Sequence, residues 1–445
     1  MKTAAESLTK DRTRTQTSSA QSQTLHGEET EPPGGDDKPP QSRGGRDRFF
    51  AHIPDSLWND WRWQFRNRIT SVAQLASYVP LSDGEKRQLE LVAGRYPLSI
   101  TPHYLSLIDP ADKNDPIRKQ VVPSILEIDP TMQGYEDPLD ERGDSVVPGL
   151  VHRYRDRALM VVTSICPVLC RHCTRKREWH RNGLVRTPAE IQAMLDYIGR
   201  HQEIRDVIIS GGDPLTLATS RLEEIIVGLR RIKHVEIIRI GSRLPVVLPQ
   251  RIDEELCNML SKYGPIWLNT HFNSSREITP EAARACDRLV RSGVPVNNQS
   301  VLLRGVNDSV AEQLALCQGL LKIKVRPYYL FQCDEVQGVE HLRTPVEKGV
   351  EIIAGMRGHT SGLAIPSFVV DFPDGGGKVP LLPDYIVAKT EEEILFKNYQ
   401  GRLLPYRNPR LENPAGEEDI RQLVGATAQS EPKGAPDADR VSVRP

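Results

Sequence analysis

The sequence predicts an α/β fold carried on a parallel sheet, and three observations predict it. From Ala158 onward, six short apolar, β-branched runs alternate with five stretches of helical periodicity, the pattern of strands joined by crossover helices. The polar words Gly241-Ser-Arg243, Asn269-Thr-His271 and Asn298-Gln-Ser300 all fall at the downstream ends of those runs, where barrel proteins build their sites. Upstream of them the periodicity is helical. On pattern alone the expectation is a full eight-stranded barrel behind a helical region.

Taken in order, residues 1–46 are Thr, Ser, Gln, Gly, Pro and charges, including Glu31-Pro-Pro-Gly-Gly-Asp-Asp-Lys-Pro-Pro40. Such a segment buries too little apolar area to offset the entropy of ordering it, so a disordered tail is expected. Residues 47–150 carry Trp58, Trp61, Trp63 and Phe65, then Ile69, Val72, Leu75 and Tyr78 at helical spacing, with turns at Thr101-Pro and Asp109-Pro. This region reads as helical, its tryptophans serving core or subunit contact. Within 151–385 the strand candidates are Leu159–Thr163, Val207–Ser210, Glu236–Gly241, Ile266–Thr270, Val294–Ser300 and Val325–Leu330. Helices are expected near Thr187–Arg200, Thr219–Ile232, Asp253–Lys262, Pro280–Ser292 and Ser309–Leu321. Residues 386–445 form a C-terminal extension, expected to be largely disordered after about 407.

Composition narrows the function classes. The formal net charge of -1 over 445 residues predicts no general attraction to nucleic acid or anionic membrane. No apolar run is long enough to span a bilayer and Met1-Lys-Thr-Ala-Ala-Glu-Ser-Leu lacks a secretory core, so a cytoplasmic protein is expected. Seven cysteines, an odd number without a disulfide-like spacing, fit a reducing compartment.

The chemistry is organised around Thr163-Ser-Ile-Cys166-Pro-Val-Leu-Cys170-Arg-His-Cys173-Thr-Arg175-Lys-Arg177. Three cysteines at C-x3-C-x2-C supply three thiolates where a 4Fe–4S cluster takes four, leaving one iron open for chemistry. A zinc site or buried structural thiols are the alternatives. Zinc wants a second pair of ligands, whereas Cys257, Cys286, Cys317 and Cys333 are scattered singly.

Further words narrow the match: Trp58-Asn-Asp-Trp-Arg-Trp63, Asp115-Pro-Ile-Arg-Lys119, His152-Arg-Tyr-Arg-Asp-Arg157, Ser210-Gly-Gly-Asp213, Arg326-Pro-Tyr-Tyr-Leu-Phe-Gln-Cys-Asp334 and Asp371-Phe-Pro-Asp-Gly-Gly-Gly-Lys378. Together with the cysteine motif they resemble the lysine 2,3-aminomutase family of radical S-adenosylmethionine (SAM) enzymes, from about Phe49 to Tyr406. The resemblance implies a partial (βα)6 TIM-like barrel of the radical SAM type, open on one side. It implies three cofactors: a 4Fe–4S cluster on Cys166, Cys170 and Cys173, SAM on its open iron, and pyridoxal 5'-phosphate (PLP) carried by Lys378. Arg153, Tyr154 and Arg157 match the phosphate ligands. Ser210, Gly211, Gly212 and Asp213, with His271 and Gln299, are the expected SAM site, the glycines leaving main-chain hydrogen bonds for the ligand. Arg175 matches the residue that binds the substrate's α-carboxylate, and Asp334 with Asp371 the pair that surrounds its side-chain cation.

The implied reaction moves the α-amino group of a basic L-amino acid to Cβ, with a reductant such as flavodoxin or ferredoxin and a homo-oligomeric enzyme. Two features depart from the family pattern. Asn307-Asp308 is followed by Ser309 and no cysteine follows Cys333, so all four ligands of the family's intersubunit zinc are missing and no zinc is expected. Phe331 stands where the lysine enzymes have tyrosine, which keeps L-arginine beside L-lysine as a substrate, since a guanidinium satisfies two carboxylates well. Two alternatives remain: a mutase acting on a protein-attached lysine, as in the translation-factor relatives, and a non-catalytic cluster-binding protein.

Overall fold

The computed structural model describes residues 45–180, 183–373 and 376–409. Of the tail expected over 1–46, residues 1–44 lie outside them, while Gly45 and Arg46 open the helix Gly45–Phe50; the C-terminal extension lies outside them past 409. Ten strands form one sheet in sequence order: β1 (Ser145–Val147), β2 (Leu150–Tyr154), β3 (Arg157–Val161), β4 (Asp206–Ser210), β5 (Ile237–Gly241), β6 (Ile266–Thr270), β7 (Val296–Leu302), β8 (Arg326–Gln332), β9 (Ser367–Phe372) and β10 (Gly377–Pro380). Neighbours from β3 to β9 pair parallel, and β1, β2 and β10 add antiparallel edges. The edge strands do not pair with each other, so the sheet is an open partial barrel and not the closed eight-stranded one that pattern alone suggests.

Each parallel strand except β9, which turns back into β10, is followed by a crossover to the next. Helices Pro188–Arg200, Thr219–Arg230, Glu254–Ser261, Pro280–Arg291 and Val310–Lys322 fall within two residues of their expected bounds. Four of the five begin at a Thr, Ser or Asp whose side chain accepts a backbone N–H, which stabilises the first turn. The parallel run has one strand more than expected. β9 reads as an apolar lead into the glycine motif, yet it pairs with β8 in register Leu330 to Phe368, behind the helix Val346–Met356.

The N-terminal region consists of short helices, among them Trp61–Arg66, Val72–Ala76, Asp83–Arg95 and Pro116–Val121. Trp58, Leu75, Ile100 and Tyr104 belong to the same apolar cluster as Met160, Ile209, Ile240 and Leu268 of the sheet, so this region and the barrel share one core. After β10 comes a second sheet, β11 (Ile386–Lys389), β12 (Glu393–Lys397) and β13 (Leu403–Arg407), antiparallel and mostly exposed. Among the described residues no helix is long and apolar enough to cross a membrane.

The helix behind β9 touches the sheet through a glycine. A Cβ on Gly349 would overlap the fully buried Phe368 ring. Gly349→Ala is therefore expected to cost about 1–3 kcal/mol, the usual scale of overpacking, read as a lower denaturant midpoint. An unchanged midpoint would contradict this packing.

Candidate active site

The downstream ends of the parallel strands surround a cavity of about 560 Å3, within the size range of cofactor pockets. It is lined by Arg153, Tyr154 and Arg157 from the β2–β3 hairpin, Ser210 from β4, His271 after β6, Gln299 from β7, Phe331 and Asp334 at the end of β8, and Asp371 and Lys378 from the β9–β10 hairpin. Arg175, from the cysteine loop, also reaches it. Residues 225 positions apart in the chain thus meet because the sheet curves round them.

Hairpin register sets Lys378 opposite Asp371. Its Nζ donates to Asp371 Oδ2 at 2.6 Å, while Asp371 Oδ1 is buried with no partner. Burial first, and then the neighbouring Asp371 charge, push the Asp334 carboxyl up to about 7, with Lys378 opposing. One member of this acidic pair, Asp371, thus already holds an ammonium group. The Lys378 backbone N–H donates to Tyr154 Oη at 3.2 Å, and the Arg157 guanidinium lies 4.9 Å from the Tyr154 ring centre. Arg153 Nε donates to Asp144 Oδ2 at 2.6 Å. Asp374 and Gly375 of the glycine motif lie outside the described residues.

The cysteine loop follows β3. Cys166 and Cys173 border a smaller space of about 50 Å3 with Arg175, Gly211 and Gly212, so Arg175 stands between the two spaces. Burial pushes the Cys166 thiol well up, followed by Asp213 and the other two cysteines, and burial also raises Cys173. Three free cysteines on one loop, two of them with thiols raised by burial, are a donor set that a cationic metal centre would relieve. Among the described residues no three His, Cys, Asp or Glu side chains close round a single ion. A cluster asks for something different, since each thiolate binds its own iron.

The Ser210-Gly-Gly-Asp213 turn packs against the cysteine loop. Gly212 N–H donates to Thr163 O at 2.6 Å and Asp213 N–H to Ile165 O at 2.7 Å. A Cβ at Gly211 or Gly212 would run into those same Thr163 and Ile165 backbones. The glycines let the turn press against the cysteine loop, which occupies the Gly212 and Asp213 N–H groups. Asp213 is also turned inward. Its Oδ1 accepts from Ser242 Oγ at 2.8 Å, and its Oδ2 accepts from Arg243 N–H at 2.8 Å. Burial raises its carboxyl to about 7 against these bonds, so it braces the loop and borders neither space.

Other residues carried no sequence signal. Glu141 accepts from Arg175 Nη2 at 2.6 Å and Nε at 2.9 Å, and from Arg177 Nη2 at 2.8 Å. Arg175 Nη1 donates to Gly211 O at 2.9 Å. Burial opposes Glu141's charge, but Arg175 and then Arg177 outweigh it and hold the carboxyl at about 2. Arg239 on β5 donates to Asp206 at 2.9 Å and keeps a buried, unpartnered Nη2 beside the cavity. Both pairings join distant segments, which local pattern cannot reveal.

The chain is similar to known proteins over most of its length. A family model described as Lysine-2,3-aminomutase matches residues 353–434, and one for the Radical SAM superfamily matches residues 160–316. The chain is 52% identical over 364 residues to an L-lysine 2,3-aminomutase of Clostridium subterminale, covering 82% of this chain and 88% of that one. It is 47% identical over 361 residues to that of Bacillus subtilis strain 168, covering 81% and 77%. A glutamate 2,3-aminomutase of Clostridioides difficile strain 630 is 42% identical over 372 residues, covering 84% and 86%.

Glu141→Gln leaves the buried Arg175 guanidinium without its counter-charge, while Arg177 keeps Asp137 at 3.0 Å, and is expected to cost about 3–5 kcal/mol at pH 7. The depressed carboxyl makes the sign definite. Its contribution is complete above the unfolded carboxylate value and is lost as pH falls towards about 2. Denaturant midpoints of wild type and variant should therefore converge as pH falls from 6 to 3; a gap independent of pH would contradict the ion-pair account.

Proposed function

The chain belongs to the lysine 2,3-aminomutase family of the radical SAM superfamily, and on that premise we propose that it moves the α-amino group of L-lysine, or of L-arginine, to Cβ with PLP bound at Lys378. One observation carries the proposal: a single cavity is lined at once by Lys378, the Asp334 and Asp371 pair, Arg175 and the Arg153, Tyr154 and Arg157 group.

The residues present fit the groups this chemistry uses. Cys166, Cys170 and Cys173 would hold three irons of a 4Fe–4S cluster; Gly211 and Gly212 border the small space beside them and Ser210, His271 and Gln299 the adjoining cavity, between which SAM would lie. The guanidinium groups of Arg153 and Arg157 suit a phosphate, and the rings of Tyr328, Tyr329 and Phe331 give the cavity apolar walls. When bound, the cluster and SAM supply a hydrogen-abstracting radical and PLP supplies an electron sink. What this chain's own side chains do is bind, orient and shield.

Arg175 is proposed to take the α-carboxylate, with Glu141 fixing the plane of its guanidinium from behind. Asp334 and Asp371 take the side-chain cation, a role that Lys378 Nζ now fills from within at 2.6 Å. With PLP held at Lys378 the ammonium would no longer occupy Asp371, whose carboxylate could then accept the substrate's cation. A glutamate side chain would bring a third carboxylate to two already in mutual repulsion, which is strongly disfavoured. Phe331 offers the cation a ring face without a hydroxyl: Lys378 Nζ lies 5.7 Å from that ring's centre. The apolar walls exclude water, which protects a radical from side reactions.

The test is anaerobic reconstitution with iron, sulfide, PLP, SAM and a reductant, then separate incubation with lysine, arginine and glutamate. β-Lysine or β-arginine is expected, and product from glutamate alone would overturn the proposal. Asp334→Asn and Asp371→Asn should each lower kcat/KM for the basic substrate by about a hundredfold or more, the scale of breaking one side of a buried charge pair. The Asp334 carboxyl, raised to about 7, binds a cation only when ionised. KM should therefore fall as pH rises through about 7 in wild type, while Asp334→Asn shows no such slope in a steady-state pH profile.

A further inference from the structure

Beneath the cysteine loop lies a buried cation that the proposed reaction does not use. Arg243, 8% exposed, sits just past the end of β5. Its Nη1 donates to Cys170 Sγ at 2.6 Å. The rest of the guanidinium is fixed: Nε donates to His271 O at 3.0 Å, and Nη2 to Glu277 Oε1 at 2.8 Å, Gln120 Oε1 at 2.5 Å and Tyr104 Oη at 3.2 Å. Its backbone N–H is held by Asp213. With every nitrogen committed, the cation cannot swing away from the sulfur.

The three cysteines are therefore not equivalent. Cys166 and Cys173 face the small space shared with Arg175, while Cys170 faces Arg243. Other charges act near the loop, including Arg175 and Lys176 on Cys173, and Asp213 and Arg175 on Cys166, but among the described side chains Arg243 is the one hydrogen-bonded to the Cys170 sulfur. We infer that Arg243, gripping the Cys170 sulfur and itself partly neutralised by Glu277, is the residue that sets the reduction potential of the cluster. The inference rests on the cluster reading above.

The physical argument concerns charge. Reduction places an extra electron on the cluster, and a fixed cation against a ligand sulfur stabilises the more negative state. Hydrogen bonds to the sulfurs are among the determinants of cluster potential. Burial matters because water does not screen the pair. Glu277 has the opposite influence: its Oε2 is occupied by the Asn273 and Ser274 N–H groups at 2.5 and 2.8 Å, and its Oε1 offsets the charge that Arg243 offers to Cys170.

The experiment is an anaerobic redox titration of the reconstituted full chain, followed by electron paramagnetic resonance of the reduced cluster, with iron content and circular dichroism measured alongside. Arg243→Lys, which keeps the charge on a shorter donor, should shift the midpoint to more negative potential, and Arg243→Gln should shift it further. Glu277→Gln, which leaves Arg243 in place with its charge less offset, should shift the midpoint the opposite way, a sign reversal that loosened packing would not produce. Midpoints equal to wild type in cluster-loaded Arg243→Gln, or a negative shift in Glu277→Gln, would overturn the inference alone. Should Arg243→Gln fail to fold, Arg243→Lys and Glu277→Gln decide by the same signs. A wild-type chain that takes up no cluster would overturn the reading beneath it and the inference together.

Discussion

The structure depends on one fully buried carboxylate. Glu127 accepts from Arg171 Nε at 2.9 and 3.1 Å and from Lys176 Nζ at 2.8 Å, and Arg171 Nη2 closes on it as well. Arg171 and Lys176 flank Cys173, so this one side chain holds the cysteine loop by both shoulders. Arg171 also donates to the Pro97 and Tyr96 carbonyls, and Lys176 to the Gly338 carbonyl. The helical N-terminal region, the cysteine loop and the segment after Asp334 are thereby tied at one point. Burial would disfavour the Glu127 charge, but Arg171 and then Lys176 reverse the balance and hold it ionised. Buried ions repay their desolvation only when their hydrogen bonds are saturated, and here the two cations are met by one carboxylate and three carbonyls.

From that clamp the rest of the site follows by topology. Parallel strands deliver their downstream ends to one rim, and this rim receives the cysteine loop after β3, the Ser210 turn after β4, the acidic residue after β8 and the lysine hairpin of β9 and β10. The fold has no chemistry of its own; the resulting cavity has a bias. Five cationic side chains, Arg153, Arg157, Arg175, Arg239 and Lys378, and three acidic ones, Glu141, Asp334 and Asp371, line it. That surplus suits ligands that bring a phosphate and a carboxylate, while the Asp334 and Asp371 corner admits a cation. The proposed function uses both.

Much of this was legible in the residues themselves. The six expected strands reappear within two residues because each is an apolar run with a turn on either side, such as Ile266–Thr270. The cysteine spacing and the Asp371 to Lys378 word are local, and local words survive in any fold. What was missed depends on contacts between distant segments. β9 looks like an apolar approach to a glycine loop until β8 is placed beside it. β11 and β13 are exposed along their whole length, so neither writes the alternation that marks a half-buried strand. Glu141 sits in an acidic stretch that reads as solvated surface, and only the fold turns it onto Arg175. The packing of the Ser210-Gly-Gly-Asp213 turn on the cysteine loop is likewise invisible locally, since glycine freedom serves a close approach between two protein segments as readily as one between protein and ligand.

The central claim is that three thiolates leave one iron open towards the same cavity that Lys378 enters. The most direct measurement is a crystal structure of the anaerobically reconstituted protein, with iron located by anomalous diffraction. The account predicts an iron cluster against Cys166, Cys170 and Cys173, one iron without a protein ligand on the side of Arg175, and continuous density from Lys378 Nζ to a pyridine ring in the same cavity. A fourth protein ligand on the cluster, or a pyridine ring attached at any other lysine, would contradict it.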